Sequence, residues 1–105
     1  MFENLTSPEF RERIKNDENA VIIDVRTPEE WAEGVIPGAL LINLMSPDFM
    51  EKINELDKSK TYYVYCRSGG RSSSACGAMA QNGYTCVNLL GGMMAWDGDV
   101  VEPQL

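Results

Sequence analysis

The chain contains no histidine. That absence excludes serine–histidine–aspartate and cysteine–histidine catalysis, in which an imidazole takes the proton of the nucleophile. It also removes the commonest nitrogen donor of zinc sites. Cysteine is scarce. The three residues, Cys66, Cys76 and Cys86, form no Cys-x-x-Cys pair, and an odd, widely spaced set does not spell a disulfide framework. No metal and no cofactor are therefore expected, and free thiols point to a reducing, cytoplasmic home. No charged-then-apolar segment opens the chain and no apolar run nears bilayer length, so neither secretion nor a membrane location is expected. Basic residues number 9 against 16 acidic ones, a net charge of -7 with no basic block. A phosphate backbone would be repelled, which sets nucleic acid aside as a partner.

What remains is ordinary globular material. The 105 residues are 44% hydrophobic, enough for a single domain over residues 1–105 with one core. A pattern of hydroxyl, proline and acid appears as Ser7-Pro8-Glu9, Thr27-Pro28-Glu29 and Ser46-Pro47-Asp48. Each predicts a helix start, since the hydroxyl caps a free N–H, proline suits the first turn and the acid suits the positive dipole end. Thr27 and Glu30 also have capping-box spacing. Helices are expected over 8–15, 28–33, 47–56 and 71–83, with a short one from Gly91-Gly92 to Trp96. Apolar runs over 20–25, 40–44, 62–65 and 85–89 read as strands, and 2–5 as an edge strand. Runs such as Val21-Ile22-Ile23 are apolar on both faces. Together with strict strand–helix alternation, they predict an α/β fold with a mostly parallel sheet covered on both sides.

The segment from Tyr62 to Ser72 reads as a strand, a short loop and a helix start. Cys66 stands where the strand ends, the place at which open α/β sheets bind ligands. Gly69 and Gly70 let backbone N–H groups turn toward one point. The following helix adds its positive end, and Arg67 and Arg71 add full charges. Positive surroundings favour a thiolate, which needs no base. The same cradle, Arg67, Ser68, Gly69, Gly70, Arg71 and Ser72, suits a small anion. Cys66 is thus the candidate nucleophile, and the loop that follows is the candidate substrate site. A buried structural role for Cys66 is the bland alternative, and the flanking Arg-Ser-Gly-Gly-Arg-Ser argues against it. Cys76, beside Ala75 and Ala80, and Cys86, in an apolar strand, read as core.

The chain resembles the single-domain rhodaneses, the thiosulfate sulfurtransferase-like proteins. Four segments carry the resemblance in order: Ile23-Asp24-Val25-Arg26 with Pro28-Glu29-Glu30-Trp31, Gly34-Val35-Ile36-Pro37-Gly38-Ala39, Tyr65 to Ser72, and Leu90-Gly91-Gly92 through Ala95-Trp96. The resemblance implies a five-stranded, mostly parallel sheet with helices on both faces. It implies that Cys66 takes the outer sulfur of thiosulfate, or of a similar small anionic donor, as a persulfide. A thiol or cyanide, or a thioredoxin-like or sulfur-relay protein, would then accept that sulfur. It assigns Asp24 and Arg26 a bracing role. Val35 departs from the pattern, since the family often has histidine there. Two other readings compete. Cysteine-loop phosphatases and arsenate reductases generally place five residues between cysteine and arginine, whereas four separate Cys66 from Arg71. The other is a binding module for a protein partner with no turnover, or a sulfur carrier that passes persulfide to a protein partner, with thiosulfate activity only a laboratory surrogate.

Overall fold

The computed structural model describes residues 1–104. In chain order the elements are β1 (Glu3–Leu5), α1 (Ser7–Lys15), β2 (Ala20–Asp24), α2 (Pro28–Trp31) and β3 (Leu40–Leu41), then α3 (Phe49–Ile53), β4 (Thr61–Tyr65), α4 (Gly70–Gln81), β5 (Thr85–Leu89) and α5 (Gly92–Ala95). The five strands form one sheet in the order β1-β5-β4-β2-β3, and every pairing between them is parallel. The expected sheet, with its edge strand β1, is therefore present. One antiparallel bridge, Val35 to Val101, ties the C-terminal tail to the loop before β3.

Side chains alternate across the sheet and give two apolar layers where the composition suggested one core. On one face Ile23, Tyr62, Val64 and Cys86 pack with Phe49 and Ile53 of α3 and with Ala75, Cys76 and Met79 of α4. On the other, Tyr63, Tyr65, Val87 and Leu89 pack with Phe10 of α1, and Met93 and Trp96 close the edge of that layer. Met94 is exposed.

Element ends depart from the sequence reading for local reasons. Helix α1 is capped by Thr6, not Ser7: the Thr6 N–H and hydroxyl both donate to the Glu9 carboxylate, at 3.0 and 2.9 Å. Ser7 instead donates to Asp97 at 2.7 Å, a partner 90 residues away. Helix α2 has the expected box, with the Thr27 N–H and hydroxyl donating to Glu30 at 3.1 Å. Helix α3 begins only at Phe49, because the Ser46 hydroxyl is engaged by the Asp48 carboxylate. Strand β3 is two residues long, although Ile42 and Leu44 still donate to Asp24 and Val25 carbonyls at 3.0 and 3.1 Å.

The strand order places the candidate site. After β2 the chain moves outward to β3, and after β4 it moves the opposite way to β5. The connections diverge between β2 and β4, and a crevice opens there at the carboxyl ends of the strands. The β2–α2 and β4–α4 loops face each other across it.

Candidate active site

Cys66 directly follows β4, the central strand. Gly69, at φ +103°, lies in the left-handed region open to glycine and turns the loop back on itself. The Gly69 N–H thereby donates to Cys66 Sγ at 3.1 Å. Ser72, in the first turn of α4, brings its hydroxyl to 3.4 Å from the same sulfur. Burial pushes the Cys66 thiol up. Hydrogen bonds from the Ser72 hydroxyl and amide, and from the Gly69 and Ser68 amides, outweigh it and leave the thiol below its ordinary range. Of the two glycine amides anticipated, that of Gly69 donates to the sulfur. The source of the lowering differs from the arginine charges expected.

Burial itself is the second difference. Cys66 is 0% exposed and belongs to the apolar layer beneath α4. The flanking polar residues sit above it: Arg67, Ser68 and Gly70 are exposed and Gly69 is half-buried. Burial and activation therefore coexist, because the loop lays its donors over a sulfur on the crevice floor.

Arg71 does not reach out freely toward an anion. Its guanidinium grips Glu30 of α2 through two bonds, at 2.7 and 2.8 Å. Its charge acts near Cys66, yet its fork is already occupied by a carboxylate. Glu30 is the first residue that sequence reasoning undervalued. It was legible as a cap and serves as one, but its second partner lies 41 residues away. That pair joins the two loops across the crevice. Arg71 foremost, with burial opposing and the Thr27 bonds assisting, holds the Glu30 carboxyl down at about 2, from the ordinary 4.5. A carboxylate with a lowered folded-state value contributes stability above the unfolded value and loses it as pH falls through the folded one. The parent is thus expected to lose this contribution between pH 4.5 and about 2. Glu30→Gln keeps the capping acceptor and removes the charge. It should cost on the order of 1 kcal/mol at neutral pH and flatten the acid limb in that window. Urea unfolding at a series of pH values checks this.

Asn88 was also missed. It is buried in β5, accepts from the Ser72 hydroxyl at 2.6 Å and donates to Asn4 Oδ1 at 3.0 Å. An amide inside an apolar strand is the signal that was available. Asp24 and Arg26 form the expected brace. Arg26 Nη2 donates to Asp24 Oδ2 and to the Gly34 carbonyl, both at 2.7 Å. Cys76 and Cys86 are buried as expected, and the neighbouring Cys86 thiol together with burial pushes the Cys76 thiol up. Among the described residues, no group of three His, Cys, Asp or Glu side chains is placed to hold a metal, and no helix is long and apolar enough to cross a membrane.

A parallel α/β sheet with one buried cysteine under an amide loop at its switch point defines a class of cysteine-centred α/β proteins. The comparisons narrow that class. The family model for the rhodanese-like domain matches residues 6–99. A putative sulfurtransferase, YtwF, of Bacillus subtilis is 44% identical over 95 residues, which cover 90% of either chain. A sulfurtransferase of Allochromatium vinosum is 37% identical over 97 residues, 91% of this chain and 89% of that one. The crystal structure of a rhodanese-like domain protein from Staphylococcus aureus superposes with a TM-score of 0.85 at 33% identity, covering 98% of this chain and all of the other. The chain belongs to the rhodanese-like domain family, and the Bacillus subtilis and Allochromatium vinosum relatives carry the name sulfurtransferase.

Proposed function

We propose that this chain moves sulfane sulfur from thiosulfate, or a similar small anionic donor, to cyanide or a thiol through a persulfide on Cys66. The observation that carries the reading is the convergence of amide and hydroxyl donors on Sγ, with the Gly69 N–H at 3.1 Å. The Cys66 thiolate attacks the outer sulfur of thiosulfate. A new S–S bond forms, the old one breaks, and sulfite leaves with the bonding pair. Charge then rests on the outer sulfur, facing Ser68, Gly69, Gly70 and Ser72, whose N–H groups are suited to hold it. Exposed Arg67 meets the incoming donor, and Arg71 contributes charge from behind the loop. The acceptor attacks the outer sulfur and Cys66 leaves as thiolate. Cyanide departs as thiocyanate, and a thiol, on a small molecule or a sulfur-relay protein, departs as its own persulfide. The nucleophile is regenerated, which is ping-pong covalent catalysis. The reading needs neither metal nor cofactor, and three free thiols suit the reducing cytoplasm.

Val35 does not weaken this reading, since no step calls for an imidazole. Val35 is buried and its N–H and carbonyl both bond Val101, so backbone and packing brace that loop. A phosphatase reading is less well supported, because the Arg71 fork that would clasp a phosphate is filled by Glu30.

Intact mass after incubation of reduced protein with thiosulfate tests the proposal. The parent should gain one sulfur atom, cyanide should remove it as thiocyanate, and Cys66→Ser should gain none. A parent that takes no sulfur from thiosulfate or from any other sulfane donor overturns it.

A further inference from the structure

Ser72 has one hydroxyl proton and three acceptors within reach. Its Oγ lies 2.6 Å from Asn88 Oδ1, 3.2 Å from the Gly69 carbonyl oxygen and 3.4 Å from Cys66 Sγ. Ser72 and Asn88 are 0% and 2% exposed, so the proton is shared out among these groups. The Asn88 amide is oriented by its other end: Nδ2 donates to Asn4 Oδ1 at 3.0 Å and lies 3.5 Å from the Gly69 carbonyl. That leaves Oδ1 aimed at Ser72, at the shortest of the three distances.

We propose that Asn88 is a positioning residue that withholds the Ser72 proton from Cys66 while the sulfur is neutral and releases it when the sulfur becomes anionic. The inference rests on the reading of Cys66 as the nucleophile. A neutral thiol is a weak acceptor, so the proton stays on the side of Asn88. A thiolate is a strong one, and the hydroxyl rotates toward it. Asn88 Oδ1 then loses a donor in a buried place, which offsets part of the gain at sulfur. The thiolate is left more basic than the bare loop would make it, and a more basic thiolate is the better nucleophile. When the outer sulfur arrives, charge moves outward, the inner sulfur is neutral again and the hydroxyl returns to Asn88. No bond is made or broken at Asn88.

Besides the Ser72 hydroxyl, other groups face the sulfur. They are the Ser68, Gly69 and Ser72 amides, the Arg71 guanidinium on α4 with its Glu30 partner on α2, and Cys76 on α4.

The test is the pH profile of Cys66 alkylation by iodoacetamide, read by mass on the Cys66 peptide. It compares the parent, Asn88→Leu, Ser72→Ala and the double variant, with circular dichroism confirming the fold. Leucine has nearly the shape of asparagine and no acceptor. Asn88→Leu should move the profile to lower pH, giving about fivefold more thiolate at a fixed pH below the midpoint. Its plateau rate should fall about twofold, because the weaker base is the weaker nucleophile. In the Ser72→Ala background the same change should move neither quantity. A shift to higher pH, no shift, or an equal shift in both backgrounds would make Asn88 a mere brace and overturn the proposal. Should Asn88→Leu fail to fold, Asn88→Asp carries the test. A carboxylate holds the hydroxyl proton harder, so this change must raise the midpoint more with Ser72 present than in the Ser72→Ala background. An equal rise in the two backgrounds overturns the proposal. Alkylation needs no sulfur donor, so this outcome is independent of whether thiosulfate loads the protein.

Discussion

Gly92→Ala is expected to disable the cysteine loop while leaving every side chain of the site in the sequence. Gly92 opens α5 at φ +56° and is buried against the backbone of the loop. A Cβ there would stand 2.5 Å from the Cys66 carbonyl oxygen and 2.6 Å from the carbonyl carbon and oxygen of Arg67. Those atoms are main chain, so the loop or the helix must move rather than a side chain swing aside. The two carbonyls are also anchored there, accepting from the Met93 and Met94 N–H groups at 2.9 and 3.0 Å. Displacement would therefore break the bonds that fix the peptides from which Sγ and its donors project. A misplacement of about 1 Å in such a constellation costs on the order of 100-fold in rate. The strain of a left-handed φ on a residue with a Cβ, and the clash, should also lower stability by roughly 1–3 kcal/mol. Single-turnover sulfur transfer and urea unfolding of Gly92→Ala measure the two effects. Transfer within about threefold of the parent would show that the loop yields without consequence.

The same glycine marks how far the sequence was legible. Gly91-Gly92 read correctly as a helix start, yet Gly92 is there because its backbone touches the backbone of Cys66 and Arg67, a contact distant in sequence that no local pattern encodes. The central strands were legible to within a residue because burial on both faces writes a continuous apolar run, as in Val21-Ile22-Ile23. The β3 end was not, since Asn43 and Met45 follow a pairing that thins out beyond Leu41. Cys66 and its amide-rich loop were visible because glycine, arginine and serine are informative side by side. Glu30 and Asn88 were invisible as site residues because their partners, Arg71 and Ser72, are brought near only by the crossovers to and from the central strands. Arg71 shows the converse: its place beside the loop was legible, while its engagement by Glu30 depended on the third dimension. Asp24 and Arg26 were legible as a brace only through the family resemblance, and the end of β2 brings the two side chains together.

That pair should give the largest loss of stability. Asp24 and Arg26 are 0% and 3% exposed. The Asp24 carboxylate accepts from the Arg26 N–H at 2.9 Å and from Nε at 3.0 and 3.1 Å, besides Nη2. The guanidinium also stands over the Tyr65 ring, 5.6 Å from its centre, and Tyr65 in turn accepts from the Ile36 N–H at 3.0 Å. The pair thus fastens the end of β2 to the Gly34–Ile36 loop and to the strand that leads into Cys66. Burial works against the Arg26 charge, and the bonds to Asp24 outweigh it. Asp24→Asn removes the counter-ion and points an amide donor at a guanidinium that can only donate. A buried charge left without its partner costs about 3–5 kcal/mol, a large share of the roughly 5–15 kcal/mol that holds a domain of this size together. Chemical denaturation should show that loss, with a midpoint shift and an unchanged slope. The double replacement Asp24→Leu with Arg26→Met separates the two terms in the cost. Because the charges are desolvated before they attract, an apolar pair of similar volume should recover much of the stability that the single variant loses. It should not recover the rate, since the Gly34 carbonyl and the Tyr65 ring would have lost the group that holds the Gly34–Ile36 loop against the strand leading into Cys66. Recovery of both would mean that the ion pair is packing alone. Recovery of neither would mean that the bonds from Arg26 to Asp24 and Gly34 carry the fold as well as the site.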